Sequence, residues 1–235
     1  MSFSMAENVA MIREKMARAA QAAGRSESEI LLCAACKTRT VETVRESALL
    51  PIDLFGENHV QELVEKTDAG AYLGKPGHFI GHLQTNKIKK VIGRASLIQS
   101  VDSEHLLLAL EAAAAKADLT QDILLEVNIG DEASKSGITA EGLFPLLETA
   151  ANQPHLRVKG LMAIPPVNDN DTENRRHLAA MRTLFEKAAD LHDDRISMQI
   201  LSMGMSDDFE NAILEGSTLV RIGTAIYGAR DYSKK

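Results

Sequence analysis

Tryptophan is absent from this chain of 235 residues, and aromatic side chains make up only 4% of it. A core built from such a composition must be aliphatic, and few rings remain for stacking on bases. Basic residues are in deficit, 26 Lys and Arg against 33 Asp and Glu, for a net charge of −7. That balance argues against a nucleic acid or an acidic membrane surface as partner. No apolar run is long enough to span a bilayer. The first residues, Met1-Ser2-Phe3-Ser4-Met5, lack the pattern of a signal peptide and run directly into a helical repeat, so the cytoplasm is the expected location. The histidines show no H-x-x-x-H or Cys/His ligand spacing, and no metal site is expected. No Gly/Ser linker, internal repeat or composition shift divides the chain, so one domain over residues 1–235 is expected; the protein is also expected to be a monomer.

Only two cysteines occur, and they spell Cys33-Ala34-Ala35-Cys36. A redox C-x-x-C works at a helix N-terminus, which gathers the sulfurs and lowers a thiol pKa. Here the pair sits in an apolar strand pattern, where residues three apart face opposite ways. The sulfurs should diverge. The same parity puts Cys33, Ala35 and Lys37 on one face, and the two small residues leave room beside the lysine.

What is present is an alternation of apolar runs with amphipathic stretches. A helix over residues 7–23 carries Val9, Ile12, Met16 and Ala20 on one face. Strands follow at 30–36, 52–55, 78–81, 97–101, 123–128, 158–164, 197–201 and 218–222. Helices are expected between them at 41–49, 60–67, 103–116, 140–151, 172–190 and 207–215, several opened by a capping residue such as Ser103 or Ser206. This pattern predicts α/β architecture, a single (β/α)8 barrel with an extra N-terminal helix, with an open doubly wound sheet as the alternative. The stretch Pro165-Pro166-Val167-Asn168-Asp169-Asn170 reads as a strand-to-helix loop.

In such a barrel the chemistry sits at the C-terminal ends of the strands. The distinctive residues fall there: Lys37, Gly56-Glu57-Asn58, His82-Leu83-Gln84, Ser134-Lys135-Ser136-Gly137, Met203-Gly204-Met205-Ser206 and Gly223-Thr224. Lys37 closes the first strand. A partly desolvated pocket would lower its pKa, and a neutral amine can form a Schiff base with an aldehyde. A solvated lysine capping a buried strand is the other reading of that position. Ser206, expected to open a helix, and Gly223 and Thr224, after the last strand, suit a phosphate held between the final two loops. Lysine and phosphate site together suit a phosphorylated aldehyde. Other motifs have two readings each. Asn86-Lys87-Ile88-Lys89-Lys90 reads as a solvated helix face rather than a nucleic-acid patch. Lys135 either attracts an anion or is an ordinary surface lysine, and Glu57 either orients a neighbouring donor or caps the next helix.

These residues resemble the YggS/PROSC family. The resemblance rests on Cys36-Lys37-Thr38, Phe55-Gly56-Glu57-Asn58-His59-Val60-Gln61-Glu62 and His78-Phe79-Ile80-Gly81-His82-Leu83-Gln84-Thr85-Asn86-Lys87. It continues through Ser134-Lys135-Ser136-Gly137, Gly160-Leu161-Met162, Leu201-Ser202-Met203-Gly204-Met205-Ser206 and Val220-Arg221-Ile222-Gly223-Thr224, nearly end to end. It implies a barrel like the N-terminal domain of alanine racemase and a role in pyridoxal 5′-phosphate (PLP, vitamin B6) homeostasis. It further implies that Lys37 carries PLP as an internal aldimine. Ser206, Gly223 and Thr224 would hold the phosphate with Met205 beside it, Asn58 would lie near the ring, and Arg221 would partner the pyridine nitrogen. PLP-dependent enzymes are the implied clients.

A guanidinium only donates, so that nitrogen would stay unprotonated and the ring a weak electron sink; a salt bridge in the barrel mouth is the other reading of Arg221. Alanine racemases continue into a β domain that supplies a tyrosine. This chain, ending at Lys235 with Tyr72, Tyr227 and Tyr232, is expected to lack that group. A PLP carrier with little turnover is therefore expected, against the alternatives of a PLP-dependent racemase or a class I aldolase using Lys37.

Overall fold

The computed structural model describes residues 3–130, 132, 136–166, 170–191 and 193–228. Ser4 starts the first helix: its hydroxyl accepts the Glu7 N–H while the Glu7 carboxylate accepts the Ser4 N–H, a reciprocal cap. Helix α1 (Met5–Ala22) buries Val9, Ile12, Met16 and Ala20. They join Leu32, Ala34, Phe209, Ile213, Val220 and Ile226 in one apolar cluster, so this extra helix covers the outside of the barrel where its first and last strands meet.

The strands are β1 (Leu31–Ala35), β2 (Leu54–Glu57), β3 (Gly77–Phe79), β4 (Leu97–Val101), β5 (Gln121–Val127), β6 (Leu156–Ala163), β7 (Ile196–Ser202) and β8 (Leu219–Ile222). They pair in parallel in chain order, and β8 returns to β1 through Leu31↔Leu219 to Ala34↔Ile222. The sheet is a closed barrel, and the open doubly wound alternative is excluded. Between the strands run α2 (Val41–Ser47), α3 (Val60–Asp68), α4 (Ile88–Val91), α5 (Glu104–Lys116), α6 (Leu143–Ala151), α7 (Asp171–Ala189) and α8 (Phe209–Leu214), and α9 (Thr224–Tyr227) follows β8.

Side-chain parity divides the core. Inside the barrel, Cys33, Leu54 and Leu219 meet Ile200, and Leu97, Leu124 and Met162 meet Ile200 and Ile164. Outside, a larger aliphatic layer lies between strands and helices. Strand β6 passes β7 so closely that a Cβ at Gly160, whose φ is +148°, would lie 1.9 Å from the Ile200 carbonyl oxygen. Glycine is required there, at the point where the β6–β7 register shifts.

Several expected boundaries move, for local reasons. β2 begins at Leu54 rather than residue 52, because Ile52 turns back to donate to the Leu50 carbonyl and the ladder resumes with Asp53 N–H to Leu32. The last long helical stretch begins at Phe209 with Asp208 as its cap residue, so Ser206 does not open it. Asp208 Oδ1 instead accepts the Met205 N–H at 2.7 Å, which holds the loop before the helix. The lysine-rich segment is a short 3-10 turn running into α4, with Ile88 and Val91 buried and Lys89 and Lys90 exposed. That is the solvated face expected of it. Ser134, Lys135, Val167, Asn168, Asp169, Tyr232 and Lys235 lie outside the described residues. Among the described residues no helix is long and apolar enough to cross a membrane, and no cluster of metal-ligating side chains occurs.

Candidate functional site

At the C-terminal end of the barrel lies a cavity of ≈ 210 Å³. Lys37, Asn58, Met205, Ser206, Arg221, Gly223 and Thr224 all line it, drawn from β8 and from the segments that follow β1, β2, β7 and β8. Ala35, expected to leave room beside the lysine, lines it too, and four further lining residues were not singled out in the sequence: Arg39, Ile80, Ile164 and Asp207. Parity could have found Ile80 and Ile164, which follow β3 and β6 and face inward like His78 and Met162. Arg39 and Asp207 stand in loops, where no periodicity points to them.

The two cysteines diverge as strand parity requires. Cys33 faces the barrel interior, with its thiol pushed up to about 12 by burial. Cys36 faces outward, donates to Glu57 Oε1 at 2.8 Å, and is likewise raised by burial and by that carboxylate. Both stay thiols at neutral pH. Glu57 points away from the cavity and receives the Lys66 ammonium at 2.8 Å. Of its two readings, orienting a neighbouring donor is the one the geometry supports. Helix α3, which follows it, has no side-chain cap.

A polar layer crosses the barrel beneath the cavity. Arg221, only 4% exposed, donates from Nη1 to Ser202 Oγ at 2.5 Å and from Nη2 to the Ala163 carbonyl at 2.9 Å. Ser202 donates onward to Gln99 Oε1 at 2.6 Å, and Gln99 Nε2 lies 2.8 Å from His78 Nδ1. The guanidinium donates to Ser202, and with the Gln99 amide oriented as it is, Ser202 gives its own hydrogen to the Gln99 oxygen. The Gln99 oxygen is then committed, its amide donates to His78, and Nδ1 must accept. His78 is therefore the neutral Nε2–H tautomer, consistent with burial driving its pKa down to about 4. Burial also lowers the pKa of Arg221, but from a range so high that the charge persists. No carboxylate among the described residues forms a salt bridge with Arg221, so its two terminal nitrogens are tied down by neutral acceptors.

The opposite side of the site is built from the ends of β7 and β8. The Arg221 N–H donates to the Gly204 carbonyl at 2.9 Å, which brings the 203–208 loop alongside Gly223 and Thr224. Ser206 Oγ accepts the Ala225 N–H at 3.2 Å, a contact that leaves the hydroxyl hydrogen to donate elsewhere. A Cβ at Gly223 would come within 3.0 Å of the Ala35 carbonyl oxygen, a tight approach of β8 to β1 that glycine relieves.

Comparison with known proteins bears on this arrangement. Residues 5–231 match the family model described as alanine racemase, N-terminal domain. A protein of Aquifex aeolicus named pyridoxal phosphate homeostasis protein is 39% identical over 226 residues, covering 96% of this chain and 98% of that one. Its namesake in Escherichia coli K12 is 41% identical over 234 residues, covering 98% and 99%. Among solved structures, PipY of Synechococcus elongatus with PLP bound superposes with a TM-score of 0.83 at 27% identity, covering 96% of this chain and all of that one. Alanine racemase of Corynebacterium glutamicum shares the fold, with a TM-score of 0.72 at 16% identity, and the match spans 63% of that chain.

Near the polar layer sits a carboxyl that sequence patterns did not flag. Glu126, 6% exposed on β5, has its pKa pushed up to about 7 by burial, with Asp102 adding to the rise and Arg221 opposing it. Between about pH 4.5 and pH 7 the unfolded chain loses this proton while the folded chain keeps it. The folded state therefore loses stability as pH rises through that window. Glu126→Gln, neutral at every pH, removes the loss. Denaturant unfolding should show the variant gaining on the wild type from pH 5 to pH 8, by at most about 3 kcal/mol. A difference that does not vary with pH would contradict the assignment.

Proposed function

The chain belongs to the family of pyridoxal phosphate homeostasis proteins, built on the alanine racemase N-terminal domain fold, and from that premise we propose that it binds PLP in this cavity, through a Schiff base on Lys37, and serves intracellular PLP homeostasis with little or no turnover. The observation that carries this reading is the meeting of an amine, two hydroxyls and a buried guanidinium in one cavity.

The donor set suits the cofactor. Ser206 and Thr224 offer hydroxyl hydrogens to a phosphate, and the close backbone at Gly223 adds no side chain in the way. Asp207, also on the lining, is exposed. Ile80, Ile164 and Met205 provide apolar walls for a ring, with Asn58 as its polar neighbour. Arg221 is the partner for the ring nitrogen. Lys37 would supply the amine for a Schiff base with the aldehyde of bound PLP, with water as the leaving group.

When bound, PLP supplies an aldehyde that captures amines and a ring that can accept electrons. Arg221 limits the second property: a guanidinium keeps its protons and can only donate, so it favours an unprotonated ring nitrogen. Stabilisation of carbanions is then weak, which supports a carrier over a racemase. Such a carrier would hold PLP covalently but reversibly and exchange it with PLP-dependent client enzymes.

Reduction of the PLP-loaded protein with borohydride should leave the label on the peptide that contains Lys37. Lys37→Ala should keep the fold and lose the label. A wild-type label found only on another lysine would overturn the assignment. The phosphate side is tested by Ser206→Ala combined with Thr224→Ala. Hydrogen bonds to a charged group contribute about 1.5–3 kcal/mol each and two such bonds to one phosphate are less than additive, so PLP affinity should fall on the order of a hundredfold. Unchanged affinity would move the phosphate elsewhere.

A further inference from the structure

The backbone that presents Lys37 is gripped on both sides from a single helix. Lys66 Nζ donates to the carbonyl oxygen of Cys36 at 2.8 Å, and the Thr38 N–H donates to Glu62 Oε2 at 2.7 Å. Cys36 and Thr38 are the two chain neighbours of Lys37. Glu62 and Lys66 stand one turn apart on α3 and meet at 3.0 Å, as residues at i and i+4 do. The third Lys66 contact is Glu57 Oε1 at 2.8 Å, at the end of β2. Three N–H groups thus meet three acceptors, on an ammonium whose side chain is 1% exposed.

A buried ion pair is by itself weak evidence for anything beyond local neutrality. Two features here go further. The grips fall on main-chain atoms, one on each side of the same residue. Thr38 also adopts φ +65°, a left-handed conformation that a β-branched residue holds only when its surroundings impose it. β1 ends at Ala35, so Lys37 lies in a turn rather than in the ladder, and strand pairing does not orient it.

We propose that Lys66 and Glu62 are positioning residues that lock the turn carrying Lys37, so that its amine is held at the cavity before any aldehyde arrives. The proposal rests on the reading of Lys37 as the attachment lysine. Holding a reacting group in place converts ordering cost into rate. The clamp should therefore govern the speed of covalent capture, and leave the phosphate anchor on the far loops untouched.

The test uses two probes on the full chain. PLP reports covalent capture through the growth of Schiff-base absorbance. Pyridoxine 5′-phosphate, with an alcohol in place of the aldehyde, reports anchoring alone. In Lys66→Met and in Glu62→Gln, capture of PLP should slow on the order of tenfold to a hundredfold. Affinity for pyridoxine 5′-phosphate should stay at the wild-type value, and Lys66→Arg should recover much of the capture rate. Glu62→Gln retains the Lys66–Glu57 pair and decides the matter if Lys66→Met does not fold. Folded variants that capture PLP at the wild-type rate overturn the proposal. So does an equal loss for both probes, which would mark a general structural role. A wild-type protein that captures no PLP at Lys37 overturns the parent reading and this one together, and is recognised without any variant.

Discussion

The guanidinium of Arg221 organises the barrel's interior. It is a buried charge that can only donate, and a line of hydrogen bonds runs from it through Ser202 and Gln99 to His78. The chain ends on a neutral imidazole nitrogen, so the charge is spread over dipoles rather than cancelled by a carboxylate. A fixed donor then stands at the floor of a cavity whose rim carries an amine and two hydroxyls. The geometry suits holding an electron-poor ring better than activating it.

The two faces of the strands divide the work. Inward residues build the aliphatic plug, the polar layer and the cavity. Outward residues at the same level, Cys36 and Glu57, meet Lys66 from α3 and connect the helical layer to the turn that bears Lys37. The alternation of side chains along β1 and β2 thus places a structural ion cluster directly behind the cavity without letting the two mix.

Much of this was legible in the sequence. The alternation of apolar runs and amphipathic stretches was enough to expect eight parallel strands. The residues at their C-terminal ends, from Lys37 to Thr224, could be grouped because the barrel fold assigns one rim to function. What could not be read depends on distance across the barrel. Gln99 and Ser202 look like polar interruptions in buried strands, and only closure of the sheet makes them partners. Lys66 looks like a solvated helix lysine paired with Glu62, because helical spacing says nothing about the Cys36 carbonyl waiting above it. Ser206 resembled a helix cap until the nearby Asp208 took that place, leaving the serine to the last loop and Ala225.

The central claim is that PLP sits in this cavity with its ring nitrogen facing Arg221. The most direct measurement is the nitrogen-15 NMR shift of PLP labelled at the pyridine nitrogen and bound to the full-length protein, followed across neutral pH. The account predicts the shift of an unprotonated, hydrogen-bonded pyridine that does not titrate, and a change in that shift when Arg221 is replaced by Gln. A pyridinium shift in the wild-type protein, or a signal indifferent to Arg221, would contradict it.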